Sequence, residues 1–403
     1  MITHSMKVPK EVIVFTSCSM VLTALGIDIM LPAFADLRRH FSLPDDSTQT
    51  AHLVSYFFMG QIVQIIFGYL TDKMGRLPIL RWGVILYILS GFATVFAPTL
   101  SWMFFFRFIS GMGAAAVLMT SIASVRDRYA GDEMARIMSF VLTIFLFTPV
   151  IAPALGALIL KVYSWEAVFL IPPAFAIVVL LWSFRMKESL SKEARSKAPI
   201  KELLPKLKTI ITNRHFVRYV TISTLIFSIL SSYVSSSERI VGEFFHRPEL
   251  FPVIFGTIGL LMALFSLGNS FFTKRLGAKQ TLRYILLLYV GTSVLLLLSV
   301  VFMGNPPPLL LFFTLIAVLM ALTTAGDPNS SAKALEFMGD NAGLAASVFG
   351  TLFFFVGSGI GAAISSQLTD GVYPLAISAV VFSTLSVFLA FGDTAEESKT
   401  AVK

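Results

Sequence analysis

The chain has 403 residues, of which 56% are hydrophobic and 13% charged, about half the charged share usual in soluble proteins. Its formal net charge is +8, with the basic residues in short stretches between apolar runs, a pattern that points to membrane orientation rather than to nucleic acid as a partner. The single cysteine, Cys18, excludes an intrachain disulfide and any metal cluster built on thiolates.

Crossing the hydrocarbon layer takes roughly 20 apolar residues in a helix, and backbone groups in lipid must be satisfied internally. Lys7 and Lys10 precede an apolar run too long for a signal-peptide core, which ends in Asp28 and Pro32 rather than in a small-residue cleavage site. It reads as the first transmembrane helix. Runs of spanning length fall near 12–34, 49–71, 79–98, 101–124, 135–160 and 165–184, then near 215–237, 251–273, 281–302, 308–327, 342–365 and 371–391.

The linkers alternate in charge. One side holds Lys73, Arg76 and Arg81, then Arg126, Arg128 and Arg136, then Lys274, Arg275, Lys279 and Arg283, together with the basic linker 185–214, which includes Lys197. The other side has few basic residues: Arg38, Arg39, Lys161, Arg239 and Arg247. The bias places both termini and the long linker in the cytoplasm. That linker divides an N-terminal six-helix bundle, 1–184, from a C-terminal one with a short tail, 215–403. Two such halves are the layout of transporters built from structural repeats, with the substrate site between them. Within the linker, KELLPKLK is compatible with a short surface helix or a solvated strand of chain.

Ionisable residues inside apolar runs are costly and usually face a cavity. Asp28 in the first run and Arg107 in the fourth stand out. A carboxylate in a low-dielectric cavity favours its neutral form, and a nearby arginine opposes that. Changing their distance would couple protonation to conformation; snorkelling to an interface or a structural ion pair is the plainer alternative. Pro149, Pro153 and Gly156 in the fifth run mark a kink with a small-residue face. Gly68 and Gly75 suit a tight turn, and there Asp72 and Arg76 form a candidate polar latch, with Asp127 as the partner of Arg76. Glu238 and Arg239 read as membrane-surface charges, and Asp327 as a helix end before Pro328. Gln61 and Asn269 are candidate cavity linings, as is a minority of the phenylalanines, Phe354 among them. The histidines, His4, His40, His52, His215 and His246, are scattered without metal-binding spacing.

Together these residues resemble the major facilitator superfamily, and within it the twelve-helix drug:proton antiporters of the Bcr/CflA and MdfA-like kind. The turn motif G-x-L-x-D-R-x-G-R-R is met by Gly68, Leu70, Asp72, Gly75 and Arg76, with Lys73 and Leu77 in place of two arginines. R-x-x-Q-G is met by Arg107 and Gly111, with Ser110 for glutamine. The fifth-helix motif P-x-x-G-P-x-x-G-G is met by Pro149, Pro153 and Gly156, with Ala152 and Ala157 keeping the small-residue logic. Asp28, Leu31 and Pro32 match the acid followed by L-P in the first helix, and Trp165, Glu166 and Phe169 the start of the sixth. Some relatives carry a second acid two turns before the first-helix aspartate; Met20 lies there here.

The resemblance implies an all-α membrane protein of the MFS fold, two six-helix bundles around a central cavity. It implies a bacterial inner-membrane, multi-pass protein that acts as a monomer among lipids. Its task would be proton-coupled efflux of lipophilic drugs or related small molecules, with no cofactor beyond the proton, no metal and no enzymatic step. The alternatives are a dedicated exporter of one metabolite, such as a siderophore or sugar, an importer, or, from another class, a membrane-embedded enzyme or a channel.

Overall fold

The computed structural model describes residues 10–196 and 199–400, and the side chains of these except 132, 135, 200, 340 and 393–400. Lys7 and Lys197, counted above among the basic flanks, lie outside the described residues.

Twelve helices among the described residues are long and apolar enough to cross a membrane. They are α1 (Lys10–His40), α2 (Gln49–Met74), α3 (Arg76–Val95), α4 (Leu100–Arg128), α5 (Arg136–Leu160) and α6 (Trp165–Ser183), followed by α7 (Arg214–Phe244), α8 (Pro248–Leu276), α9 (Ala278–Met303), α10 (Leu309–Leu335), α11 (Ala342–Ser365) and α12 (Tyr373–Gly392). KELLPKLK contributes to a 3-10 turn over Ile200–Glu202 and a short helix, Leu203–Thr212.

The packing repeats with a period of six helices. In the first half α3 packs on α4 and α6, α4 on α2, and α1 on α4, α5 and α6. In the second half α9 packs on α10 and α12, α10 on α8, and α7 on α10, α11 and α12. Every pair in one set is the other set shifted by six. The halves meet along α5–α8 and α2–α11, pairs that the same shift exchanges. Glycines allow the close approaches: a side-chain atom at Gly60 or Gly111 would strike the backbone of the facing helix in α2–α4.

Two sequence expectations are corrected. Asp327 does not end a helix, since α10 continues through Pro328 to Leu335; in a bundle, neighbours re-satisfy the carbonyl that a proline frees. Glu238 and Arg239 are not surface charges. They are 9% and 5% exposed, and α7 continues past them in a π-helical stretch, Ile240–Phe244.

Candidate transport site

Asp28 sits at a break in α1. The first helix ends at Asp28, and a 3-10 turn over Leu31–Ala33 leads into a second helix, Phe34–His40. Pro32 accounts for the break, because it has no N–H to donate backwards and disfavours helical backbone at the residue before it. Asp28 is 5% exposed, and among the described residues no hydrogen bond or ion pair reaches its carboxylate.

Arg107 reaches the same helix without pairing with that acid. Its Nη2 donates to the Gly26 carbonyl at 2.6 Å and its Nε to the Leu53 carbonyl at 3.4 Å. The guanidinium lies 4.4 Å from the centre of the Phe57 ring. The positive charge is therefore anchored on backbone two residues before Asp28. Ser110, where the family motif has glutamine, shares a 2.8 Å hydrogen bond with Ser90 of α3.

Pro149, Pro153 and Gly156 lie in a helix that runs unbroken over Gly131–Leu160. Gly156 presses so closely on the Ile29 carbonyl that any Cβ would collide with it. The other end of the motif faces the second half: Pro149 and Val150 pack against Gly259 and Gly256 of α8. The motif of α5 thus touches the break beside Asp28 at one level and the opposite bundle two turns away.

The end of the bundle that carries the 185–214 linker, the linker end, is organised around Arg76. Its Nε and Nη2 donate to Asp127 at 2.7 and 3.1 Å, and its Nη1 to Asp72 at 2.5 Å. Gly75 makes the turn with φ of +106°, a conformation that glycine tolerates. Glu188, which sequence reading missed, accepts from the backbone N–H groups of Arg76 and Leu77, each at 3.0 Å. It places a carboxylate at the N-terminus of α3, where the helix dipole favours one. Gly68 presses on Ser347 of α11.

The opposite end is sealed between the halves. Arg38 donates to both oxygens of Glu238, at 3.0 and 3.1 Å, and pairs with Glu243 at 3.0 Å. Arg239 donates to Glu243 at 2.7 Å. The result is a square of two arginines and two glutamates bonded along three of its sides, Glu238–Arg38–Glu243–Arg239, with Arg38 only 4% exposed. The one signal in the sequence is the adjacent Glu238–Arg239 pair, which looks the same in a surface turn.

A cavity of about 580 Å³ lies at the linker end, bordered by Tyr69, Arg126 and Met119 of the first half, Leu344 and Ser347 of the second, and Lys206 of the linker. Its size falls in the range of small-molecule sites. The three expected cavity residues do not border it. Gln61 is fully buried and accepts from Gln64 at 3.1 Å. Asn269 accepts from Asn329 at 2.8 Å, tying α8 to α10. Phe354 stacks on Phe58 of the other half at 5.7 Å. A polar or aromatic side chain in a bundle is as readily satisfied by a neighbour as by a cavity.

Two six-helix repeats, a substrate-sized cavity at one end and an ion-paired seal at the other define a secondary transporter. Residues 16–362 match the family model of the Major Facilitator Superfamily, and the chain belongs to that superfamily; it is a multi-pass membrane transporter, not an enzyme. Among its relatives is "Uncharacterized MFS-type transporter YdgK" of Bacillus subtilis, 27% identical over 93% of both chains. Another is "Bicyclomycin resistance protein homolog" of Haemophilus influenzae, 25% identical over 91% of this chain and 92% of that one. "Multidrug resistance protein MdtL" of Escherichia coli is 28% identical over 62% of this chain and 64% of its own. In fold the chain is similar to a crystal structure of a D-xylose–proton symporter, with a TM-score of 0.75 at 12% identity over 94% of this chain and 97% of that one.

Proposed function

We propose that this chain is a proton-coupled exporter of lipophilic or weakly polar small molecules, with Asp28 as the proton carrier. The observation that carries this reading is the setting of Asp28: buried, unpaired and at a helix break. Arg107 is anchored two residues before it, and Gly156 is packed against the next residue, Ile29. An isolated carboxylate in such surroundings favours its neutral form, and an approaching guanidinium opposes that. Small movements of α1 against α4 and α5 therefore change whether the proton stays. Because α5 also packs on α8, a change at the break is felt at the junction between the halves.

In this reading the linker end faces the cytoplasm, as the basic flanks suggest, and the halves 1–184 and 215–403 rock about α2–α11 and α5–α8. Cargo enters the 580 Å³ cavity and leaves at the Arg38 end once the ion square opens. A proton arriving from outside at Asp28 then drives the return. Export rather than import is supported by the α5 motif and by the names of the bicyclomycin- and multidrug-resistance relatives.

The test is transport in proteoliposomes under an imposed pH gradient, with a panel of chemically unrelated drugs. Gradient-driven, saturable flux is expected, and Asp28→Asn should reduce it to the level of empty vesicles while the variant folds normally. Flux indifferent to the gradient, or full transport by Asp28→Asn, overturns the reading.

A further inference from the structure

The six-helix repeat extends to single residues on the outer flank of each half. Arg81 and Arg283 are each the sixth residue of their helix, α3 and α9. Arg81 crosses to the end of α6, where its Nε donates to the Ser183 hydroxyl at 3.1 Å and its Nη2 to the Ser183 carbonyl at 2.9 Å. Arg283 crosses to α12 in the same way, its Nε and Nη2 donating to the Ala390 carbonyl at 3.2 and 3.0 Å. Each guanidinium lies over the ring that follows its acceptor, Phe184 at 4.6 Å and Phe391 at 4.8 Å. The next residue on each donor helix is a large exposed aromatic, Trp82 or Tyr284, and Phe184 and Phe391 are exposed as well.

Both acceptors are neutral, so each arginine keeps its full charge. Among the described residues no carboxylate pairs with either arginine, and neither Nη1 has a partner. Each arginine is partly exposed. At 1.5 Å per residue each lies roughly 8 Å in from the linker end of its helix. A free arginine at that depth would snorkel out to water, but two donors tie each of these forks to the neighbouring helix. A charge held this way beside lipid is costly unless an anion comes to it. The anions that a bilayer holds at that level are the phosphates of its lipids, and basic pockets between spanning helices are where such headgroups bind. Exposed Trp and Tyr rings favour the same headgroup layer. No acid pairs with either arginine to receive a headgroup ammonium, so an anionic headgroup fits better than a zwitterionic one.

We propose that the α3–α6 and α9–α12 flanks are two repeat-related binding sites for the phosphate of an anionic phospholipid, one on each half, in the linker-end leaflet. The unused Nη1 of Arg81 or Arg283 donates to the phosphate, and the exposed aromatics beside it seat the apolar part of the lipid. The proposal goes beyond the exporter reading and does not depend on cargo or on proton coupling.

The test is native mass spectrometry of the purified full-length chain in detergent, with graded phosphatidylglycerol, phosphatidylethanolamine or phosphatidylcholine. The natural chain should hold two phosphatidylglycerol molecules about tenfold more tightly than either other lipid, the scale of one charged hydrogen bond. Arg81→Gln and Arg283→Gln should each remove one of the two, and the double variant both. Arg81→Lys should keep part of the preference at its site. Equal affinity for the three lipids, or two tightly held lipids in the double variant, overturns the proposal. So does competition by glycerol 3-phosphate, which would make these sites for soluble phosphates. If a Gln variant does not fold, the natural arginines decide. In phosphatidylcholine vesicles, a small fraction of phosphatidylglycerol brominated on its acyl chains should quench tryptophan fluorescence more than the same fraction of brominated phosphatidylcholine. Trp82→Phe should remove the excess. Equal quenching by the two lipids, or an excess that survives Trp82→Phe, overturns the proposal.

Discussion

The two ends of the bundle are both held by arginine–carboxylate contacts, yet they do different jobs. At the linker end Arg76, Asp72 and Asp127 all belong to the first half, and Glu188 follows directly on α6. That latch shapes one bundle from within. At the other end Arg38 comes from the first half and Glu238 and Glu243 from the second, so the contact exists only while the bundles touch there. Similar chemistry fixes a turn in one place and reports a conformation in the other.

The largest effect is therefore expected from Arg38→Ala. Removing one partner of a buried ion pair costs about 3–5 kcal/mol. Here that cost falls on the state sealed at the Arg38 end, shifting the equilibrium at least about a hundredfold toward opening. Ser235 is 2% exposed and borders this contact. With Cys18→Ser removing the one natural thiol, Ser235→Cys should react much faster with a membrane-impermeant maleimide when Arg38→Ala is added. Unchanged labelling in a folded variant would show that the ion square is not the seal.

A smaller effect sharpens the comparison from between the ends. Gly156→Ala places a methyl against the Ile29 carbonyl, and overpacking of this kind typically costs about 1–3 kcal/mol. Helix α5 must then lift from the break beside Asp28. Gradient-driven flux should fall with little change in drug binding. Loss of binding with coupling intact would separate α5 from the proton step.

Sequence reading singled out the parts of the candidate site that are local in the chain. Asp28 with Pro32, the turn Gly68–Arg76 and the small-residue face of α5 each depend on neighbours within about three turns, and short spacing carries such information. Arg38 and Glu238 are 200 positions apart, and nothing near either residue specifies the other. The continuation of α10 past Asp327 was hidden by Pro328, which ends helices in water but is accommodated inside a bundle. Glu188 was hidden by its setting, because an acid in a basic linker looks like ordinary solvated charge until the turn it caps is folded.

Glu188→Gln gives the smallest expected effect and tests whether the ends are independent. Glutamine keeps the shape and one acceptor but removes the charge from the α3 N-terminus, an interaction worth about 0.3–1 kcal/mol. The start of the linker should loosen by about two- to fivefold, read as faster tryptic cleavage at Lys187 and Lys192. Labelling at Ser235→Cys should stay as it was, because a latch confined to one half has no direct hold on the junction at the far end. Raised labelling there would mean that the turn at Arg76 and the square at Arg38 are two faces of one switch, and the division of labour between the ends would fall.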